Sequence, residues 1–284
     1  MSELKTKEIR SIQLKCLESL EIIDSICKKH NIKYSLCGGS VVGAHLYQGC
    51  LPWDDDIDLM MTRPNYNKFI SVCREELPDG FIMQNYQCSD EYYTLFTKII
   101  NQNTTLIQEM DDGSIIKSGV FVDITVYDKI PNNKIIRGFN IFLWKLSQWC
   151  LIGKVEKRDV KSIVRNGFIS LMGSPSTRYY RFVQKILEKN NRAKNYTYSE
   201  IFGSFCNTKP YDKEIFENYT TINFEGSHYM IVRDYVKYLE CRYDRTDFRE
   251  PKERQVPSHY SYVDLKKSYL DFDEYTFNKK INKE

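Results

Sequence analysis

The chain has 284 residues, 42% of them apolar and 14% aromatic, which is enough to bury a sizeable core and excludes intrinsic disorder. Its net charge of +3 is too weak to mark a nucleic-acid binder by itself. Nine scattered cysteines, with no Cys-x-x-Cys, argue against a disulfide framework or a zinc site and suit a reduced, cytosolic protein.

The opening Met1-Ser2-Glu3-Leu4-Lys5-Thr6-Lys7-Glu8 is polar and does not read as a secretory signal, so the Asn-x-Thr triplets at 103, 195 and 218 read as chance matches. Periodicity then predicts an amphipathic helix over 4–30, with Ile9, Ile12, Cys16, Leu20, Ile23 and Cys27 recurring every three or four residues. Asn31 is expected as its left-handed cap. A strand over 32–37 should deliver Gly38-Gly39-Ser40 at its end, followed by a helix over 41–47. Glycines there permit close approach of backbone to a phosphate, and the amides of a following helix start point at an anion.

The next stretch, Leu51-Pro52-Trp53-Asp54-Asp55-Asp56-Ile57-Asp58, places four carboxylates in five positions, which repel one another unless a cation neutralises them. Read as extended, it puts Asp54, Asp56 and Asp58 on one face, with a strand beginning at Asp56. Hard oxygen ligands suit Mg²⁺ or Mn²⁺. An EF-hand is excluded, because with Asp54 first the sixth position is Leu59 and the twelfth Asn65, where Gly and Glu are required. A solvated acidic loop is the plain alternative.

A helix over 65–77 follows the start signal Thr62-Arg63-Pro64. Strands are predicted over 81–84, 92–100 and 104–108, the last two joined by a turn at Asn101-Gln102-Asn103, and Asp111-Asp112-Gly113 reads as another turn. Val120-Phe121-Val122-Asp123-Ile124 is a buried strand with one acid in its middle. That acid needs a metal, a proton or a paired cation such as Lys98. Alternating helices and strands with hairpins imply a mixed α/β sheet.

From Pro131 the pattern turns helical. The apolar run over 139–152 is interrupted by Asn140, Lys145 and Gln148 and falls short of the roughly 20 residues a spanning helix needs. Its basic flanks, Lys134, Arg137, Lys154, Lys157 and Arg158, allow a membrane-surface role beside that of a core or acceptor-channel helix. Helices are also expected over 176–190 and 232–243. Four regions result: an N-terminal helix (1–30), a core (31–130), a helical segment (131–195) and a C-terminal segment (196–284).

Gly38-Gly39-Ser40, then Asp56-Ile57-Asp58, then a lone Asp123 on a later strand resembles the nucleotidyltransferase superfamily pattern. The fuller string from Tyr34 to Met60, with Val120-Phe121-Val122-Asp123-Ile124 and Asn223-Phe224-Glu225-Gly226 followed by Tyr235, Leu239 and Tyr243, is similar to the LicD family, which includes bacterial phosphocholine transferases and is related to fukutin-related protein. The resemblance covers 31–128 and, more loosely, 219–260. It implies a nucleotidyltransferase-like mixed-sheet core with a helical insertion and a small C-terminal α+β segment. It further implies a metal-dependent cytoplasmic enzyme that moves a phosphoalcohol from CDP-choline, or another CDP-alcohol, to a glycan or lipid-linked glycan, with release of CMP.

In that scheme Asp56 and Asp58 share one or two Mg²⁺ or Mn²⁺ ions, with Asp54 beside them, and Asp123 is a further ligand or the base. Gly38, Gly39, Ser40 and Lys98 contact phosphate, and Trp53 contributes to a cage for a quaternary ammonium. The alternatives are a nucleotidyltransferase using a nucleoside triphosphate, transfer from CDP-glycerol or CDP-ribitol, a metal-dependent glycosyltransferase, and a catalytically silent nucleotide- or glycan-binding protein. No nucleic-acid partner is expected, and peripheral association with the inner face of a membrane fits the basic flanks.

Overall fold

A computed structural model describes residues 3–85, 96–109, 115–152, 159–172, 177–200, 207–245, 247–248 and 260–272. In chain order, α1 (Glu3–Lys29), β1 (Ser35–Leu36), α2 (Gly38–Tyr47), β2 (Asp58–Thr62) and α3 (Arg63–Glu76) lead into β3 (Phe81–Gln84), β4 (Thr97–Glu109) and β5 (Ile115–Pro131). Then come α4 (Lys134–Ile152), α5 (Val160–Met172), α6 (Thr177–Asn190), β6 (Tyr196–Glu200) and β7 (Asn207–Tyr211). The hairpin β8 (Tyr219–Phe224) and β9 (Ser227–Val232), α7 (Tyr235–Tyr243) and β10 (Tyr262–Asp264) complete the described elements.

One sheet runs in the order β1-β2-β5-β4-β10, with β3 also on β4 and with β6 and β7 continuing from the far end of β5. Among the described strands only β2 and β5 pair in parallel, so the sheet is mixed and the fold is α/β, as expected from the alternation of patterns. The β8–β9 hairpin stands apart as a two-stranded ribbon. Helix α1 lies across β4 and β5. Its predicted stripe, Ile9, Ile12, Cys16, Leu20, Ile23 and Cys27, is buried throughout, and each such side chain contributes on the order of 1.5–3 kcal/mol. Asn31, at φ 49°, is the left-handed residue that ends the helix.

Four expectations are corrected. Residues 101–103 do not turn: β4 runs through them, with a register irregularity between Asn101 and Leu106. Side chains bridge the gap, since Thr104 Oγ1 accepts from the Val120 amide at 2.8 Å and donates to the Asn101 carbonyl at 2.8 Å, while Asn101 Oδ1 accepts from the Asn103 amide at 3.1 Å. Local side-chain hydrogen bonds of this kind substitute for the ladder, so the Asn-rich stretch makes a bulge instead of a hairpin. The acidic strand begins at Asp58 and not at Asp56, helix α2 begins at Gly38 and not after Ser40, and α7 begins at Tyr235. The expected strand residues 92–95 and the turn at 111–113 lie outside the described residues.

The helices α4 and α6 pack on the end of β5 through a small cluster of their own, Ile130, Leu143, Tyr179, Val183 and Leu187. A buried ion pair fastens this end: Arg63 Nε and Nη2 meet the Asp128 carboxylate at 2.8 and 2.7 Å, and Asn191 donates to it at 3.1 Å. Among the described residues, no helix is long and apolar enough to cross a membrane.

Candidate active site

Three neighbouring strands set the site. In the parallel pairing of β2 with β5, Asp58 lies opposite Asp123, and in the antiparallel pairing of β4 with β5, Lys98 lies opposite the same Asp123. Cross-strand partners share a face of the sheet, so Asp58, Asp123 and Lys98 form one row across it. Lys98 Nζ reaches both Asp123 oxygens, at 3.0 and 3.3 Å, and its ammonium sits 3.0 Å from the centre of the Phe121 ring. The cation expected to meet phosphate therefore meets a carboxylate in this state, and it holds Asp123 in place.

The remaining acids arrive on the loop between α2 and β2. Asp54, Asp55 and Asp56 each present a carboxylate oxygen, and these oxygens lie within 4.8 Å of one another. Because the strand starts at Asp58, the alternation that would have placed Asp54, Asp56 and Asp58 on one extended face does not apply; a loop gathers Asp54 and Asp56 instead. Burial pushes the Asp58 carboxyl well above the usual range, and the negative charges of Asp56, Asp123 and Asp54 push it further, with Arg242 opposing them. The acids thus fall into two sets, Asp54, Asp55 and Asp56 on the loop, and Asp58 and Asp123 on the strands, where Lys98 pairs with Asp123 and Arg242 lies beside Asp58 over Gly38. The loop acids Asp54, Asp55 and Asp56 form a group that could hold a metal ion, and hard oxygen donors of this kind suit Mg²⁺ or Mn²⁺.

The Gly-Gly-Ser segment opens α2 and closes around this acid cluster. Cys37 caps the helix in extended conformation and its amide donates to the Asp58 carbonyl at 2.9 Å; Ser40 Oγ accepts from the Asp58 amide at 2.9 Å. Gly38, at φ +52°, would bring a Cβ to 3.6 Å from Asp58 Oδ2 and from Arg242 Nε and Nη2, so the carboxylate and the guanidinium lie over the same residue. At Gly39 an added Cβ would stand 2.7 Å from Asp54 Oδ2. The glycines therefore make room for carboxylates. The Gly38 amide, expected to face a phosphate, donates instead to the Tyr238 hydroxyl at 3.2 Å.

Several contributors went unassigned in the sequence. Arg242, on α7, bonds Glu200 at 2.6 Å with both side chains at most 5% exposed, and Tyr127 bonds Glu200 at 2.8 Å and faces Tyr238 at 3.2 Å. The available signal was a cation on the inward face of an amphipathic helix, since Tyr238, Leu239 and Arg242 are all buried there. Glu225 heads the β8–β9 turn at φ 55° and accepts from the Cys50 amide at 2.9 Å and from Arg10 at 2.9 and 2.6 Å. It ties the root of the acidic loop to α1. Trp53 is half-buried on that loop and meets the Tyr47 ring edge-on at 5.9 Å.

Residues 31–139 match the family model described as LicD/FKTN/FKRP, nucleotidyltransferase domain. The chain is also 29% identical over 265 residues to a Haemophilus influenzae protein named lipopolysaccharide cholinephosphotransferase LicD, an alignment covering 90% of this chain and 97% of the relative.

Proposed function

We propose that this chain, which carries a LicD-family nucleotidyltransferase domain over residues 31–139, is an enzyme that transfers a phosphoalcohol, phosphocholine first, from a CDP-alcohol to a hydroxyl of a cell-surface glycan or its lipid-linked precursor. The observation that carries the reading is the row of Asp58, Asp123 and Lys98 beside the Gly38–Ser40 helix start, in a chain similar along nearly its whole length to a protein named for cholinephosphate transfer. A bound Mg²⁺ or Mn²⁺, held by Asp56 and Asp58 with Asp54 and Asp123 beside them, would neutralise the diphosphate and its leaving oxygen.

The chain's own residues do the rest. Asp123, oriented by its contacts with Lys98, accepts the proton of the acceptor hydroxyl as its oxygen attacks the phosphorus that bears the alcohol. A new phosphorus–oxygen bond forms to the glycan, the bridging phosphorus–oxygen bond breaks, and CMP leaves with that oxygen. Ser40, whose oxygen already accepts from the Asp58 amide, directs its own proton to a phosphate oxygen at the start of α2, together with the Gly39 backbone. Lys98 shares its charge between Asp123 and a phosphate oxygen of the seated donor. Trp53 and Tyr47 offer aromatic faces to a quaternary ammonium, which takes no ordinary hydrogen bond. With a CDP-alcohol donor and a lipid-linked acceptor, the reaction would run at the cytoplasmic face of a membrane.

The test is product analysis. The purified protein is incubated with Mg²⁺ or Mn²⁺ and, in turn, CDP-choline, CDP-glycerol, CDP-ribitol and nucleoside triphosphates, with and without a glycan acceptor. CMP released from CDP-choline in an acceptor-dependent manner is the expected result, abolished in Asp58→Asn. CMP from the glycerol or ribitol donor alone would move the head group and keep the class. Pyrophosphate from a triphosphate, with no CMP from any donor, would overturn the reading.

A further inference from the structure

The helical segment departs from the rest of the chain in charge. Residues 131–194 hold fourteen Lys and Arg against three Asp and Glu, a net +11 within a chain of +3, so the remainder is acidic. The same segment exposes side chains that cores normally take. Ile135 is 83% exposed, Phe142 53%, Val160 78%, Ile163 61% and Leu171 69%.

These residues are not scattered. On α4, Ile135, Phe139 and Phe142 recur at steps of four and three and form an outward stripe, while Asn140 and Leu143 turn inward and are buried. On α5, Val160, Ile163, Val164 and Leu171 fall within an arc of about 100°, with the buried Ser162 and Ile169 opposite. Exposed Lys134, Lys145 and Lys161 flank the stripes. Exposed apolar stripes flanked by charge mark a binding face.

We propose that the outer faces of α4 and α5 dock this protein on an anionic phospholipid bilayer. Neither helix is long and apolar enough to span one, which leaves the interfacial plane, with apolar stripes at the acyl boundary and lysines at headgroup level. Charge selects this occupant over the others. A second copy seated face to face would bring two segments of +11 together, and a polyanion such as RNA would engage the lysines while leaving Ile135, Phe142 and Ile163 without apolar partners. An anionic membrane satisfies both features at once. The inference stands apart from the chemistry proposed above, since it uses none of the acidic-site residues.

The experiment is co-sedimentation of the purified full chain with vesicles of phosphatidylcholine mixed with phosphatidylglycerol, against vesicles of phosphatidylcholine alone, at low and high salt. Binding to the mixed vesicles, weakened by salt, is expected. Lys134→Glu with Lys161→Glu should lower the partition coefficient by roughly 30-fold or more, from the usual contribution of each basic residue near an anionic surface. Ile135→Glu with Ile163→Glu should abolish binding with no fall in melting temperature, because both side chains are exposed. No binding to the mixed vesicles at low salt would overturn the proposal. So would binding that neither pair of substitutions changes, or a dimer by light scattering that the isoleucine pair dissociates while leaving vesicle binding intact.

Discussion

Arg242 offers the sharpest perturbation of the buried network behind the acids. Its partner Glu200 is wholly buried, with the pair at 2.6 Å, so Arg242→Met keeps the length of the side chain but strands a carboxylate without its cation. Removing one member of a buried pair costs on the order of 3–5 kcal/mol. For 284 residues, an unfolding entropy of about 2.1 cal/mol/K per residue gives roughly 0.6 kcal/mol per degree. The melting temperature should therefore fall by about 5–8 °C, read by calorimetry or circular dichroism. Adding Glu200→Gln to Arg242→Met should return more than half of that loss, because the stranded charge is gone. Turnover should not return with it, because the guanidinium also stands beside Asp58 over Gly38. A single variant melting within about 1 °C of wild type would refute the buried-pair argument, and a double variant regaining both stability and turnover would refute the placement of Arg242 in the site.

Gly39→Ala should leave melting unchanged or slightly raised, since alanine is the better helix former by up to about 1 kcal/mol. Its Cβ displaces the Asp54 carboxylate 2.7 Å away, so the rise in melting temperature on adding Mg²⁺ should shrink and turnover should fall at least about tenfold; undiminished turnover would sever Asp54 from the site. Glu225→Gln tests the clamp on the acidic loop. Arg10, through its hydrogen bonds, holds the Glu225 carboxyl below the usual range, with burial opposing and the Cys50 amide assisting. A depressed carboxyl contributes stability above its unfolded-state value and loses it as the pH falls through the folded one. The glutamine variant should thus be about 1–2 kcal/mol less stable at neutral pH and converge with wild type as the pH falls through the carboxyl's lowered folded-state value, in denaturant titrations. A gap that persists in acid would mean the carboxylate's charge is not what holds the loop.

Much of the site's frame was legible because its signals are local. The apolar periodicity of α1, the lone acid within Val122-Asp123-Ile124 and the crowding at Asp54–Asp58 each follow from neighbours a few residues away, and the row of Asp58 and Asp123 follows once two strands are recognised. Lys98 was legible as the partner of a buried acid, which is the contact it makes with Asp123. What escaped was set by distant chain. The amide of Gly38 is taken by a hydroxyl 200 residues away, and Glu200 and Arg242 find each other 42 positions apart. Neither shows in any periodicity. The false turn at Asn101–Asn103 has another cause. Asn and Thr side chains that favour turns can equally carry a ladder across a bulge, and only the facing strand decides between them.

The clamp at Glu225 also orders events in the life of the molecule. It reaches back 175 positions to the Cys50 amide and 215 to Arg10, so the loop that bears Asp54 and Asp56 is fastened by a turn synthesised long after the loop itself. Strands β1 to β5 can leave the ribosome and pair first, with the acids in place along the chain but their loop untied. Closing so distant a contact is the slow step of such a topology. A chain cut before Tyr219 would still carry Asp54, Asp56, Asp58 and Asp123 and would lack the fastening of their loop.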